Sequence, residues 1–161
     1  MTGYLIGLAR RPERRAPMEE LSSGVISTDA GLEGDFKGAK HPTRQITILA
    51  REDWQAALAT LPPAAACLHW TVRRANLFCK GLRLPRAKGA KIQIGEISLE
   101  VTGQTYPCKR MDEAYSGLLK ALGPDWRGGV TCRVLTGGPL KLGDEINITY
   151  APPETERNLP G

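Results

Sequence analysis

The sequence predicts a mainly β (α+β) fold: a closed or nearly closed β-barrel carrying two or three short helices. Short stretches rich in β-branched and apolar residues recur along the chain. Glycine-bearing turns separate them. Helical spacing of apolar residues is confined to short segments. Many short strands of this kind are best satisfied by closure into a barrel.

Gly3 to Ala9 reads as a first strand, and Arg10 to Pro17, basic and bounded by proline, as a loop. Ser23 to Ser27 reads as a short strand, and Gly31 to Asp35 as a tight turn presenting Asp35. Arg44 to Ala50 alternates and is rich in isoleucine, a strand pattern. Glu52 to Leu58 has helical spacing, with Trp54, Ala57 and Leu58 on one side, and Leu61-Pro62-Pro63 ends it. Ile92 to Ile94 and Ile97 to Thr102 form a hairpin about Gly95-Glu96. Met111 to Leu122 is expected to be one helix that stops at Gly123-Pro124. Val130 to Thr136 and Glu145 to Tyr150 are the last strands, with Gly143-Asp144 a turn between them.

The 161 residues suit one domain, expected over 1–150, with a disordered tail over 151–161. That length buries a core without disulfides. No apolar run approaches the roughly 20 residues of a membrane span, so no membrane partner is expected. The N-terminal apolar stretch precedes its arginines, the reverse of an export signal, which points to a cytoplasmic protein with reduced thiols. Cys67 and His69 form a lone C-x-H without a second metal-type pair, so zinc is not expected; nor are haem or flavin. The net charge is +5, and no acidic residue lies between Asp53 and Glu96, a one-sign block that favours an anionic partner.

Tyr106-Pro107-Cys108-Lys109-Arg110 is the segment with most chemistry. Pro107 fixes the chain after a strand, and Cys108 falls at a strand-to-helix junction beside two cations. A helix dipole beginning near Met111 and the flanking charges favour thiolate, which is both nucleophile and soft metal ligand. A partly buried structural cysteine is the competing reading. Cys132 shares strand parity with Val130 and Val134 and reads as core. Arg73, Arg74 and Asn76 place two planar cations near an amide that could pair with a heterocycle edge. Arg44 and Gln45 open a strand at a pocket mouth or guard an edge. Arg127-Gly128-Gly129 resembles a bent strand start where backbone approaches a ligand.

Taken in order, GLEGD at 31–35, RQITIL at 44–49, RRANL at 73–77, KGAKIQIG at 88–95, EVTGQTYPCKRMDEAYSG at 100–117, RGGVTCRVLTGG at 127–138 and GDEI at 143–146 resemble the MOSC family. This is the module at the C-terminus of molybdenum cofactor sulfurases, also found alone. The resemblance spans about Tyr4 to Tyr150 and implies a barrel related to the pyruvate kinase barrel domain. It maps the family's cysteine onto Cys108, as molybdenum ligand or persulfide carrier, and the family's R-x-N element onto Arg74 and Asn76 as cofactor-binding residues. Arg44, Lys109, Arg110 and Arg127 are expected neighbours, and the implied cofactor is the molybdenum cofactor (Mo-pterin), with no reason for pyridoxal phosphate.

Two uses of Cys108 follow. It could bind cofactor or carry sulfur, with a cysteine desulfurase or molybdenum enzyme as sulfur donor or acceptor. It could instead serve a molybdenum-dependent reductase of N-hydroxylated compounds fed by a separate electron-transfer protein. A basic nucleic-acid module ranks lower, because Phe78 is the only aromatic within the Arg73–Lys91 basic run and no helix-turn-helix signature is present. Either way the reading requires a reachable thiol at the rim of a positively charged cavity.

Overall fold

In the strand Ile46–Ala50 (β5), Ile46, Ile48 and Ala50 enter one apolar cluster while Leu49 enters another. That alternation is the signature of a wall buried on both sides. The computed structural model describes residues 2–154. Seven strands close the wall: Thr2–Arg10 (β1), β5, Leu77–Lys80 (β6), Lys91–Ile94 (β7), Ile97–Gln104 (β8), Val130–Thr136 (β9) and Glu145–Tyr150 (β11). Their order round the barrel is β11-β7-β8-β9-β5-β6-β1, and the last and first strands pair at Thr2–Asn147 and Tyr4–Glu145. Glu19–Glu20 (β2) adds to the end of β1. Ser23–Ser27 (β3), Gly31–Leu32 (β4) and Gly138–Lys141 (β10) form a small separate sheet.

Inside the barrel lie Leu5, Leu77, Ile92, Ile94, Ile97, Leu99 and Val101 with Val130, Cys132 and Val134, so Cys132 is core as its parity predicts. Every pairing in the ring is antiparallel except β5–β6. A parallel pair demands a crossover. Here it consists of the helix Arg51–Ala59 (α1) and two 3₁₀ turns, Pro63–Cys67 and Trp70–Arg73. Glu52 and Asp53 occupy the first turn of α1, where the helix dipole favours carboxylates. Trp54, Ala57 and Leu58 bury against the outer barrel face, beside Trp70 stacked on Phe78 at 4.9 Å.

Three expectations need correction. The helix expected over 111–122 is two short helices, Arg110–Ala114 (α2) and Leu118–Leu122 (α3). Tyr115 is extended, and Gly117 takes φ 91, a left-handed conformation that only glycine adopts cheaply and that ends the helical path. One turn of helix carries little dipole, so that support for a Cys108 thiolate falls away. The acid-free block does not form one face. Arg73 and Arg74 go to a cavity, whereas Arg86 pairs with Asp53 at 2.8 Å and Arg83 with Glu154 at 2.5 Å. Glu154 also accepts the Arg86 amide at 3.2 Å, so the tail expected to be disordered begins as an attached segment; residues 155–161 lie outside those described. Strands β6 and β10 have no counterpart in the sequence reading. The first is a four-residue apolar run and the second contains Pro139, at the edge of its sheet where a missing amide is tolerated.

Candidate functional site

Cys108 lies in the loop between β8 and α2, and its side chain is exposed. Its carbonyl accepts the Met111 amide at 2.9 Å and opens the turn of α2. The base of this loop is fastened to the β9 approach. The Thr105 amide donates to the Gly129 carbonyl at 3.0 Å, and its hydroxyl to the Gly128 carbonyl at 2.6 Å. Arg73 is buried beneath, donating Nε to the same Gly128 carbonyl at 3.0 Å and Nη2 to the Thr105 hydroxyl. Burial pushes the Arg73 guanidinium down to about 10, with Cys108 acting in the opposite sense.

Beside Cys108 is a cavity of about 370 Å³. Arg11, Arg14 and Arg15 reach it from the loop after β1, and Lys37 and Arg44 from the chain before β5. With Arg73, Arg74 and Arg110 the described residues bring eight cationic side chains against one carboxylate, Asp35. Among the described residues none of the eight forms an ion pair. Asp35 itself accepts the Arg11 amide at 2.9 Å, tying the arginine-bearing loop to the segment that carries Lys37. Crowding shows in the charges: burial, then Arg11 and Arg110, holds Arg74 below its ordinary value. Burial with Arg44, Arg73 and Arg11 lowers the Lys37 ammonium, and burial with Arg44, Lys37 and Lys40 lowers the His41 imidazole. Arg74 also takes φ 65, a conformation that costs a non-glycine residue about 1–3 kcal/mol and that concentrates at ligand sites.

Of the residues singled out from sequence, the fold brings Cys108, Arg44, Arg74, Asn76 and Arg110 to this cavity. Lys109 and Arg127 are not there. Lys109 is exposed at the start of α2, and Arg127 donates to the Ala121 carbonyl at 3.3 Å across α3. Asn76 is 5% exposed and its amide is engaged with backbone rather than free to read a ligand. Its Oδ1 accepts the Thr47 amide at 3.0 Å and hydroxyl at 3.1 Å, and its Nδ2 donates to the Ala9 carbonyl at 3.3 Å. It therefore positions Arg74 by locking β1, β5 and the start of β6 together. Gln45, likewise, is spent on Val134 and Thr28. Gly129 has φ 98, and a side chain there would overlap the Ile48 carbonyl, so its close approach is to the barrel's own backbone and not to a ligand. Sequence reasoning missed Arg11, Arg14, Arg15 and Lys37. The signal available was the cationic cluster at 10–15 itself, which reads equally as a solvated loop.

An exposed thiol beside unpaired guanidinium groups has the chemistry to accept an anion carrying a soft centre. A MOSC domain profile matches residues 35–147. The chain belongs to the MOSC family. No curated protein matches the sequence. Among solved structures, this MOSC domain resembles the YuaD protein from Bacillus subtilis at 20% identity and TM-score 0.74, over 91% of this chain and 94% of that one. It also resembles YiiM from Escherichia coli (16% identity, TM-score 0.69, 91% of this chain and 70% of that one). YiiM from Geobacillus stearothermophilus is similar at 14% identity and TM-score 0.68, over 92% and 75%. At these identities the likeness establishes the fold alone. The family is linked to molybdenum-cofactor-related sulfur transfer or reductase activity. No described helix of this MOSC domain is long and apolar enough to cross a membrane.

The unpaired charge makes a prediction independent of any cofactor. Inorganic pyrophosphate should raise Tm more than chloride does at equal ionic strength, because it neutralises cations that repel one another only in the folded state. At a hundredfold excess over Kd the gain is about 2.7 kcal/mol. The double variant Arg44→Gln/Arg74→Gln should lose most of the pyrophosphate effect in differential scanning fluorimetry, and an unaltered effect would place the anion elsewhere.

Proposed function

We propose that this MOSC domain binds a molybdenum cofactor in the basic cavity, with the Cys108 thiolate as the protein ligand to the metal. The observation that carries the reading is an accessible sulfur beside eight cations and a single carboxylate. The donor set fits the group. Thiolate is a soft ligand suited to a thiophilic metal, and guanidinium forks suit phosphate oxygens. Arg44, Arg74 and Arg110 would hold the phosphate-bearing part, and Arg73 would anchor the loop that presents Cys108. When bound, the cofactor supplies a metal centre able to exchange a sulfur or oxygen ligand. Metal and pterin analysis of the protein purified from a cofactor-competent host tests this. Molybdenum and pterin should appear in equal amounts and fall at least fivefold in Arg74→Gln; wild-type protein with neither refutes it.

The exposure of Cys108 supports a second use of the same thiol, as a sulfur carrier between a cysteine desulfurase and a molybdenum enzyme. In that step the thiolate attacks the outer sulfur of the donor's persulfide, the donor's S–S bond breaks, and the donor leaves as thiolate. Mass spectrometry after incubation with a desulfurase and cysteine should show one added sulfur on wild type and none on Cys108→Ser. A reductase of N-hydroxylated compounds is the alternative within the cofactor-bound reading, with electrons delivered by a separate electron-transfer protein; reduction of a hydroxylamine by the loaded protein tests it. A nucleic-acid module has less support, since the cations gather in a concave site rather than along a face.

A further inference from the structure

A second, larger cavity of about 800 Å³ adjoins the first. Arg44, Gln104, Tyr106 and Thr131 line both, so these four side chains are the partition between them. The far side of the second cavity differs in chemistry. Trp126, Ala87 and Pro153 give it an apolar flank, and Tyr106, 69% exposed, adds an aromatic face. Among the described residues its charged lining is Arg44, Lys88 and Arg86, with no carboxylate. Arg86 is 5% exposed and is balanced by Asp53, yet its Nε makes no hydrogen bond among the described residues. Among the described residues Arg44 and Lys88 form no ion pair. The Lys88 stem runs past Gly103, its Cε 3.8 Å from where a Cβ would stand, which keeps its ammonium at this wall.

Trp126 is held there at a cost. Asp125 and Trp126 have φ 51 and 54, left-handed values that are unusual for any side chain and more so for a bulky one. Such strain persists where surrounding structure fixes a residue for use. Of the three tryptophans, Trp54 and Trp70 are buried at 4% and 6% exposure, whereas Trp126 packs on the barrel core and still lines a cavity.

We propose that the second cavity is a subsite for a flat aromatic carboxylate, its ring against Trp126 and its charge between Arg44 and Lys88. Two uncompensated cations match one or two negative charges, in contrast to the eight that surround Cys108. Because Arg44 belongs to the shared partition, the carboxylate end of such a molecule faces the Cys108 cavity. In that respect the inference rests on the proposed function: the subsite holds the organic body of what reacts there. Binding itself needs neither cofactor nor turnover.

Titration of the purified protein with 2-naphthoate, followed by tryptophan fluorescence, tests the subsite. Saturable quenching with submillimolar Kd is expected, at least tenfold tighter than for the neutral 2-naphthamide. Lys88→Gln, an exposed position, should weaken naphthoate at least fivefold, and Gly103→Leu, which fills the cavity, should remove it. Arg74→Gln, which alters only the first cavity, should leave the affinity unchanged. Absence of quenching at millimolar naphthoate, equal affinity for the amide, or a Lys88→Gln protein that binds like wild type overturns the proposal. So does a larger loss in Arg74→Gln than in Lys88→Gln, since the probe would then sit beside Cys108. Failure of the metal analysis with success here would remove the cofactor and keep the subsite.

Discussion

Cys108→Ser should strip the protein of molybdenum and of any carried sulfur while leaving it folded. The thiol is exposed, so its replacement should move stability by no more than about 0.5 kcal/mol. Serine preserves the backbone turn into α2 but offers a hard, protonated oxygen in place of a soft anion. No other cysteine can take over. Burial, with Glu52 and Asp53 behind it, pushes the Cys79 thiol up to about 12, and burial raises Cys132 further still. Cys67 ends a 3₁₀ turn on the crossover and does not line the cavity. We expect the molar metal ratio, read by plasma mass spectrometry, to fall at least tenfold with pterin following. Metal retained at wild-type occupancy would show that the arginines alone hold the group and that the sulfur is incidental.

The second large effect is on stability. Arg86 and Asp53 form a buried pair at 2.8 Å that joins α1 to the segment before β7, and Arg86 also donates to the Leu84 carbonyl at 2.7 Å. Removing one partner of a fully buried pair costs about 3–5 kcal/mol, an upper bound here because Asp125 also lies 3.6 Å from Arg86 Nε. Asp53→Asn should lose part of this stability in urea unfolding at every pH, since a guanidinium cannot shed its proton and keeps only the more distant Asp125. Arg86→Met should behave differently with pH. Burial already holds the Asp53 carboxyl above its ordinary value, and loss of Arg86 removes the main opposing pull. A carboxyl whose folded value is raised destabilises the fold as pH climbs through and above the unfolded value near 4. Arg86→Met should therefore regain stability as pH falls from 7 toward the unfolded carboxyl value, and Asp53→Asn should not. Equal pH profiles for the two variants would contradict this account.

The strands whose alternation is strong were legible in the sequence: Ser23–Ser27, Val130–Thr136 and Glu145–Tyr150 fall where β-branched residues recur. The hairpin about Gly95 and the buried side of α1 were equally legible. What local pattern does not encode is pairing. Nothing in Leu77–Lys80 announces that it runs parallel to β5, and nothing at Tyr115 outweighs the helical spacing that Gly117 interrupts. The site divides in the same way. Cys108 stands out because proline, cations and a junction coincide there. Arg73 and Arg127 look alike in one dimension, and only the fold turns the first into the buried anchor of the thiol loop and the second outward along α3. The Asn76 amide could equally grip a ligand or a neighbouring strand, and its three bonds to Thr47 and Ala9 decide for the strand.

The seam between β1 and β11 sets a timetable for biosynthesis. One edge of the N-terminal strand pairs with β6, and the other waits for a mate synthesised more than a hundred residues later; contacts so distant in sequence form slowly. A nascent chain on the ribosome can carry Cys108 into solution before residues 145–150 have emerged to close the ring. All eight cations beside that thiol lie between positions 11 and 110, so they are synthesised before the closing strand.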